Sequence, residues 1–356
     1  MNILGMSLCC TALALALPGQ DLSKSVVAEC EAMIRETMKK KGIPGLTAAI
    51  GREGQVLWTG GFGFSDIENE VKATAKTSFR LASISKSITA VATMQLVAKG
   101  KFDLDAPVQK YLPDFPKKRW PVTSRQLMSH LGGVRHYKMG EIFSAKYYST
   151  VRAGLEIFAK DPLLHEPGSK FSYTTYGYNL LGAAAASATG KRFGALIQEN
   201  VFEPAGMTNT RVDSARKIIP GRAQGYTRSA FGRIRNSRLV DTSNKIPGGG
   251  LCGTTADLVR FGMALARGEL LKKETVDKMW RRATTNAGKP IPYGLGFRIV
   301  KADKPRVVGH SGGQPRVNTM LIIRPDEHVV VAVMCNLEGA GIGTLTRQLS
   351  DHITKR

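Results

Sequence analysis

Apolar residues in the stretch 21–41 fall at Val26, Cys30, Met33 and Ile34, spacings of three and four, and Gly42 with Pro44 closes the run, which is the pattern of an amphipathic helix. Residues 46–50 and 55–59 are short β-prone runs on either side of Gly51-Arg52-Glu53-Gly54, so an antiparallel hairpin is predicted there. The far end of the chain repeats the combination. Strands are predicted over 306–309, 317–323 and 329–334, with Arg324-Pro325-Asp326-Glu327 as a turn, and a last helix carries Ile342, Leu345, Leu349 and Ile353 on one face. Between the two ends the pattern is helical, over 87–98, 155–160, 180–188 and 256–267. The arrangement that uses all of this is of the α+β class. One antiparallel sheet is built from both termini (21–82 and 283–356) and flanked by the N- and C-terminal helices, and a mostly helical region (83–282) is inserted between them. A site is expected at the junction.

Composition narrows the picture. The chain has 356 residues, 42% of them hydrophobic, with no low-complexity tract, so disordered and fibrous classes are excluded. Lys and Arg number 51 against 28 Asp and Glu, a formal charge of +23, which suits nucleic acid, an anionic surface or an acidic substrate. No zinc-finger spacing, ribonucleoprotein signature or long basic run is present, so no specific nucleic-acid partner is expected and the charge reads first as a solubilising surface. Residues 1–20 end in Ala14-Leu15-Ala16 and Pro18-Gly19 after an apolar run too short to span a bilayer. They are expected to be a secretory signal peptide, giving an exported periplasmic or secreted protein, although no Lys or Arg occurs before Lys24; the alternative is a short apolar helix that stays on. No later run is longer, so no integral membrane domain is expected. Cys9 and Cys10 would leave with the signal, and the remaining Cys30, Cys252 and Cys335 do not make a disulfide scaffold.

The segment 79–87, Phe-Arg-Leu-Ala-Ser-Ile-Ser-Lys-Ser, leads into an apolar-periodic helix. Ser83 and Lys86, three apart, share one helix face, so the amine can reach the hydroxyl. A lysine that is partly buried can be neutral and take the proton of an otherwise inert alcohol. Alone, Ser-x-x-Lys occurs by chance in many chains of this size and reads first as a polar helix start. A rival nucleophile is offered by Gly309-His310-Ser311-Gly312-Gly313, which spells the Gly-x-Ser-x-Gly elbow. An elbow needs a helix after the turn, and here Gln314-Pro315-Arg316 leads into the alternating run 317–323 instead. His130, His136, His165 and His352 lack metal spacing and read as core or surface residues; no metal or organic cofactor is expected.

The run 81–86 (Leu-Ala-Ser-Ile-Ser-Lys), the segment 127–137 (Leu-Met-Ser-His-Leu-Gly-Gly-Val-Arg-His-Tyr), and Gly248-Gly249-Gly250-Leu251 followed by Thr254-Thr255-Ala256-Asp257-Leu258 occur in order. With them the chain resembles the serine beta-lactamase-related family of class C beta-lactamases, DD-peptidases and their esterase and peptidase relatives. It is most similar to the branch of mitochondrial serine beta-lactamase-like proteins. The resemblance implies a beta-lactamase/transpeptidase-like fold. It puts Tyr173 at the tyrosine of the family's Tyr-x-Asn element, in register through Gly177-Tyr178-Asn179-Leu180-Leu181-Gly182, and Thr175 where the asparagine stands in relatives. That departure weakens the expectation of antibiotic hydrolysis. His310-Ser311-Gly312 matches the family's His-x-Gly element, so His310 is expected to line the site and the N–H groups of Ser83 and Gly313 to form an oxyanion hole. Glycine at 313 is expected to spare the acyl group from crowding. Arg316, where relatives carry glycine, is expected to narrow the mouth, to hold a substrate carboxylate, or to be a salt-bridged surface residue.

The expectation is therefore a serine hydrolase that acylates Ser83, with Lys86 and a partly ionised Tyr173 as the general-base pair and Thr175, Ser311, Gly312 and Arg316 touching substrate. A peptide is the first candidate substrate, a beta-lactam the second and a simple ester the third. The competing class is a non-catalytic binding or assembly protein of the same fold. The stretch 216–238 carries Arg216, Lys217, Arg222, Arg228, Arg233, Arg235 and Arg238 without one acidic residue. Gly221, Gly225 and Gly232 punctuate it as a loop or hairpin that either steers anionic substrates or only solvates the surface.

Overall fold

The computed structural model describes residues 21–356; the signal peptide expected at 1–20 lies outside the described residues. Helix α1 (Lys24–Lys41) starts where Ser23 accepts the Val26 N–H and stops where Gly42 turns left-handed (φ 53°) and donates back to Lys39 and Met38. In chain order there follow β1 (Gly45–Arg52), β2 (Gln55–Asp66), β3 (Val71–Lys72), β4 (Phe79–Arg80), α2 (Ser85–Ala98), α3 (Ser124–Met128), α4 (Thr175–Thr189) and α5 (Phe193–Ile197). Then come β5 (Arg211–Val212), β6 (Tyr226–Arg228), β7 (Ile234–Asn236), α6 (Ile246–Gly249), β8 (Leu251–Gly253), α7 (Thr255–Ala266) and α8 (Lys273–Met279). The chain closes with β9 (Arg298–Lys301), β10 (Val307–Gln314), β11 (Val317–Arg324), β12 (Val329–Cys335) and α9 (Gly343–Thr354).

Seven strands form one antiparallel sheet in the order β3-β2-β1-β12-β11-β10-β9. Its centre is the pairing of β1 with β12, from Leu46 opposite Cys335 to Arg52 opposite Val329, which joins the two ends of the chain as the sequence predicts. The central strands are apolar on both faces because both are covered. Leu46, Ala48, Ile50, Val329, Val331 and Val333 pack with α1 and α9, whereas Ala49, Val330, Ala332 and Met334 face the core shared with α2, α4 and α7. The fold is thus α+β, with helix layers on both faces of an antiparallel sheet. Among the described residues no helix is long and apolar enough to cross a membrane, and Cys30, Cys252 and Cys335 are buried free thiols.

Three local expectations change. The helix predicted over 155–160 is only a 3-10 turn, Ala153–Ile157, because nothing caps its start and Phe158 already leaves helical geometry. Helix α4 begins at Thr175 rather than near Leu180, since the Thr174 side chain accepts the Gly177 N–H and caps it. Strand β2 runs on to Asp66 past the glycines Gly60, Gly61 and Gly63; a Cβ at Gly61 would collide with the Ala73–Thr74 backbone.

Candidate active site

Every residue from Thr77 to Leu96 is buried except Ser83. It sits in a 3-10 turn, Ala82–Ile84, that runs directly into α2. The turn is pinned on two sides. The Leu81 N–H donates to Leu251 O of β8 (2.8 Å), and Leu81 O accepts from the Thr319 hydroxyl of β11 (3.1 Å). Ala82 has φ 48°, a left-handed conformation that costs a non-glycine residue about 1–2 kcal/mol. The surrounding packing holds this strain next to the one accessible residue of the segment 77–96.

Lys86, one turn on, has no exposed surface. Its Nζ lies 3.0 Å from Ser83 Oγ, 3.1 Å from Thr175 Oγ1 and 2.6 Å from Gly248 O. Among the described residues no carboxylate pairs with it. Burial first, and then the positive charges of Lys245 and Arg298, hold its pKa well below the ordinary lysine value. A neutral amine fits these three neighbours: it donates to Gly248 O and Thr175 Oγ1 and accepts the Ser83 O–H in its lone pair. Once protonated, it donates to all three.

Tyr173 lies just before α4, its ring 5.0 Å from Lys86 Nζ. Burial pushes the phenol up to about 12, a polar contact with Ser83 and the charge of Arg298 pulling the other way. The phenol therefore stays protonated near neutral pH, and the partly ionised Tyr173 expected from sequence is replaced by a proton donor. Thr175 contacts Lys86 and is itself buried, so the side chain expected to touch substrate instead positions the amine. Gly248 must be glycine, because a Cβ there would press on Thr175; Gly248 and Gly249, expected from sequence in a loop, form the end of the short helix α6, which lies against Lys86.

The segment 127–137 forms one wall. His130 (φ 61°) accepts the Thr174 N–H at Nδ1, and His136 accepts the Thr175 N–H at Nδ1, both at 3.2 Å. These two histidines, read from sequence only as core or surface residues, hold consecutive amides at the start of α4 and so fix Tyr173 and Thr175. His136 is drawn down to about 4 by burial and by Lys86 and Lys245, so it is the neutral acceptor this geometry needs.

On the opposite side, β10 carries His310, fully buried, with Nε2 2.8 Å from the Tyr293 hydroxyl and Nδ1 2.6 Å from Ser311 O. Burial and the nearby Lys86 draw it down to about 3, so it is neutral, with Nδ1–H donating to the carbonyl and Nε2 accepting from Tyr293. Its ring lies 6.3 Å from that of Tyr173. Gly312 is where space is tightest: a Cβ would lie 2.7 Å from Leu81 O and 2.9 Å from Ala82 Cβ and would overlap the Thr319 hydroxyl. At Gly313 a Cβ would meet only Asn318 Nδ2 at 3.7 Å, so the glycine that packing requires is 312. Ser311 is half-exposed, and β10 continues through it into the turn before β11, which excludes the elbow.

Arg316 is not a free cation at the mouth. Its guanidinium donates to Gln224 Oε1, and its backbone N–H donates to Glu338 (3.0 Å). The exposed Arg298, with Cζ 5.7 Å from the Tyr173 ring and no acidic partner among the described residues, occupies the position expected of Arg316. Neither Arg298 nor Lys245 carries a sequence signal, because what matters is proximity to Lys86. Lys245 is buried, donates to Ile142 O (3.2 Å), and is drawn down to about 7 by burial and by Arg80. The basic stretch forms the predicted hairpin, β6–β7, with several of its cations committed: Arg222 to Asp213, Arg228 to the Lys41 and Gly232 carbonyls, and Arg216 and Arg238 over Tyr147 and Phe143.

Comparison with known proteins gives the same picture over nearly the whole chain. The family model described as Beta-lactamase matches residues 30–351. The human serine beta-lactamase-like protein LACTB, mitochondrial, is 26% identical over 417 residues, covering 87% of this chain and 76% of its own. Penicillin-binding protein 4* of Bacillus subtilis (strain 168) is 29% identical over 323 residues, covering 85% and 70%. Among solved structures, the octameric penicillin-binding protein homologue from Pyrococcus abyssi superposes with a TM-score of 0.75 at 26% identity, covering 88% of this chain and 74% of its own.

Proposed function

The chain belongs to the beta-lactamase family, and from that premise we propose that it is a serine hydrolase that cleaves an amide or ester bond through an acyl-enzyme on Ser83. The observation that carries this reading is Lys86: buried, without a carboxylate partner among the described residues, and 3.0 Å from the only accessible hydroxyl of its segment. Neutral Lys86 takes the Ser83 proton as Oγ attacks the substrate carbonyl. The negative oxygen that develops is met by the N–H groups of Ser83 and Gly313, worth roughly 3–4 kcal/mol for one well-placed donor. The protonated Tyr173 gives its hydrogen to the departing amine or alkoxide and regains one from Lys86 as the intermediate collapses. Water then enters, loses a proton by the same route in reverse, and frees the acid and Ser83.

The substrate we infer is a peptide bearing a carboxylate, with Arg298 as the unpaired cation beside Tyr173. A beta-lactam is the second candidate, supported by the name of the Bacillus subtilis relative, and a simple ester the third. The binding-protein alternative drew its force from Thr175 in place of asparagine. Its contact with Lys86 turns that residue from a loss into one that positions the general base.

Intact-mass measurement after a fluorophosphonate or penicillin probe tests the reading. A single adduct on the wild-type chain and none on Ser83→Ala is expected, and Lys86→Ala should lose nearly as much, since residues that act as a unit are strongly non-additive. An adduct on Ser311, or no adduct at all, refutes it.

A further inference from the structure

Behind the site, between β4 and the β10–β11 turn, Phe79, Arg80, Arg222, Ala223 and Arg316 line a small, partly enclosed space with room for one water molecule or one monatomic ion. Three guanidinium groups meet there with one buried carboxylate among them. Asp213 accepts from Arg80 Nε and Arg222 Nη1, both at 2.8 Å, and also from the Thr242 hydroxyl. Glu338 is nearby but is engaged by the Arg316 backbone N–H and the Ser237 hydroxyl. Arg80 is 6% exposed; Nε is used on Asp213 and Nη2 on Val240 O, while Nη1 is buried with no partner among the described residues.

A buried N–H of a charged group without an acceptor is costly, and guanidinium charges in excess of their carboxylates repel one another. Arg316 registers the crowding, since burial and the charges of Arg80 and Arg222 depress its pKa. The residue is nonetheless held there, at φ 83°, with Gly225 so close that a Cβ would overlap it. A water molecule would satisfy the free N–H but leave the charge uncompensated. Phosphate, sulfate and carboxylate are too large for the space. We propose that this cavity is a halide site that takes a single chloride ion between Arg80, Arg222 and Arg316. Arg80 lies three residues before Ser83 and Arg316 three after Gly313, so the ion ties together the two segments that carry the proposed oxyanion donors. Only this last consequence rests on the hydrolase reading.

The site is tested first without reference to activity. Crystals of the full chain soaked in sodium bromide should show an anomalous peak within hydrogen-bonding distance of Arg80 Nη1; a peak elsewhere only, or none, overturns the proposal. In solution, replacing gluconate by chloride at fixed ionic strength, up to about 0.1 M, should raise Tm saturably by roughly 2–4 °C. Arg316→Gln should lose that increment while remaining folded, and Arg222→Gln provides a second variant. An equal rise with sulfate or gluconate, or a full chloride response in both variants, refutes a halide site. If the bromide peak is present, probe labelling of Ser83 should also be faster in chloride than in gluconate. A peak with unchanged labelling removes the link to the oxyanion segments while leaving the site itself in place.

Discussion

Replacing Gly312 by alanine tests how the nucleophile turn is held against β10. The new Cβ would lie 2.7 Å from Leu81 O and 2.9 Å from Ala82 Cβ, and would overlap the Thr319 hydroxyl that bonds Leu81 O. Ordinary contacts begin near 3.4 Å. Thr319 can rotate away at the loss of its hydrogen bond, but the Leu81 carbonyl is backbone and cannot. Strand β10 must therefore retreat from the turn by roughly 0.5–1 Å, an overpacking displacement that costs about 1–3 kcal/mol. The same shift separates the Ser83 and Gly313 amides. A misplacement of that size, or the loss of one oxyanion donor, lowers turnover by roughly 10²-fold. The expected result is a folded variant with a lowered Tm, kcat on a p-nitrophenyl ester down about a hundredfold and KM nearly unchanged. Gly313→Ala is the control. Its Cβ meets only Asn318 at 3.7 Å, so Tm should stay within a degree or so, and any loss of activity then reports crowding of the acyl group and not movement of the strand. Wild-type Tm and kcat in Gly312→Ala would refute the reasoning, because β10 would then have room that the geometry denies it.

Lys245→Met removes a cation that depresses Lys86, so the acidic limb of kcat/KM should move to higher pH; an unmoved limb rejects the coupling. The same change should raise Tm. Lys245 titrates near 7 in the fold against 10.5 for an ordinary lysine, so the unfolded chain binds the extra proton between those values, and the cost of burying the amine, on the order of a few kcal/mol, grows as pH falls through that window. The Tm advantage should be largest at and below pH 7 and disappear above 10.5. Thr175→Val keeps the shape and removes one Lys86 contact, so kcat should fall about tenfold with little change in Tm; wild-type kcat would show that Thr175 does not position the amine. Arg298→Gln should raise KM for an acidic peptide by roughly two- to fivefold and leave KM for its neutral analogue unchanged, while the acidic limb of kcat/KM moves to higher pH for both because a cation that depresses Lys86 is gone; the wild-type preference for the acidic peptide should weaken with salt. Equal kcat/KM for the two peptides in the wild type would reject carboxylate recognition.

What the sequence revealed of this protein was whatever depends on neighbours along the chain. The sheet was legible because Val329, Val331 and Val333 alternate with Val330, Ala332 and Met334, apolar on both faces, and because helices follow or precede the matching strands at each end. Ser83 and Lys86 were legible because a spacing of three places them on one helical face. The partners of Lys86 were not. Thr175 is 89 residues away and Gly248 is 162 away, and no local pattern announces a contact across that separation. That packing requires glycine at 312 rather than at 313 was not legible for the same reason, since only the neighbouring Leu81–Ala82 backbone distinguishes two adjacent glycines. The histidines show the limit from the other side. Without metal spacing they looked inert, yet His130 and His136 act through backbone amides of residues 174 and 175, a role available to any acceptor of the right reach.

The net charge of +23, read from sequence as a surface property, acquires a second meaning around Ser83. Lys86 has no carboxylate to hold its proton, and the charged groups that act on it, Lys245 and Arg298, are both positive. His136 and His310 are kept neutral chiefly by burial. A lysine paired with an acid would be a fixed cation and useless as a base; a lysine surrounded by positive charge sheds its proton and can take one from serine. Burial first, and the surrounding cations second, therefore make Lys86 neutral, and an Asp placed within reach of it, as in Thr175→Asp, should silence the nucleophile even though it keeps a hydrogen-bond partner at that position. Probe labelling of that variant at the wild-type rate would show that the charge of Lys86 does not govern the chemistry.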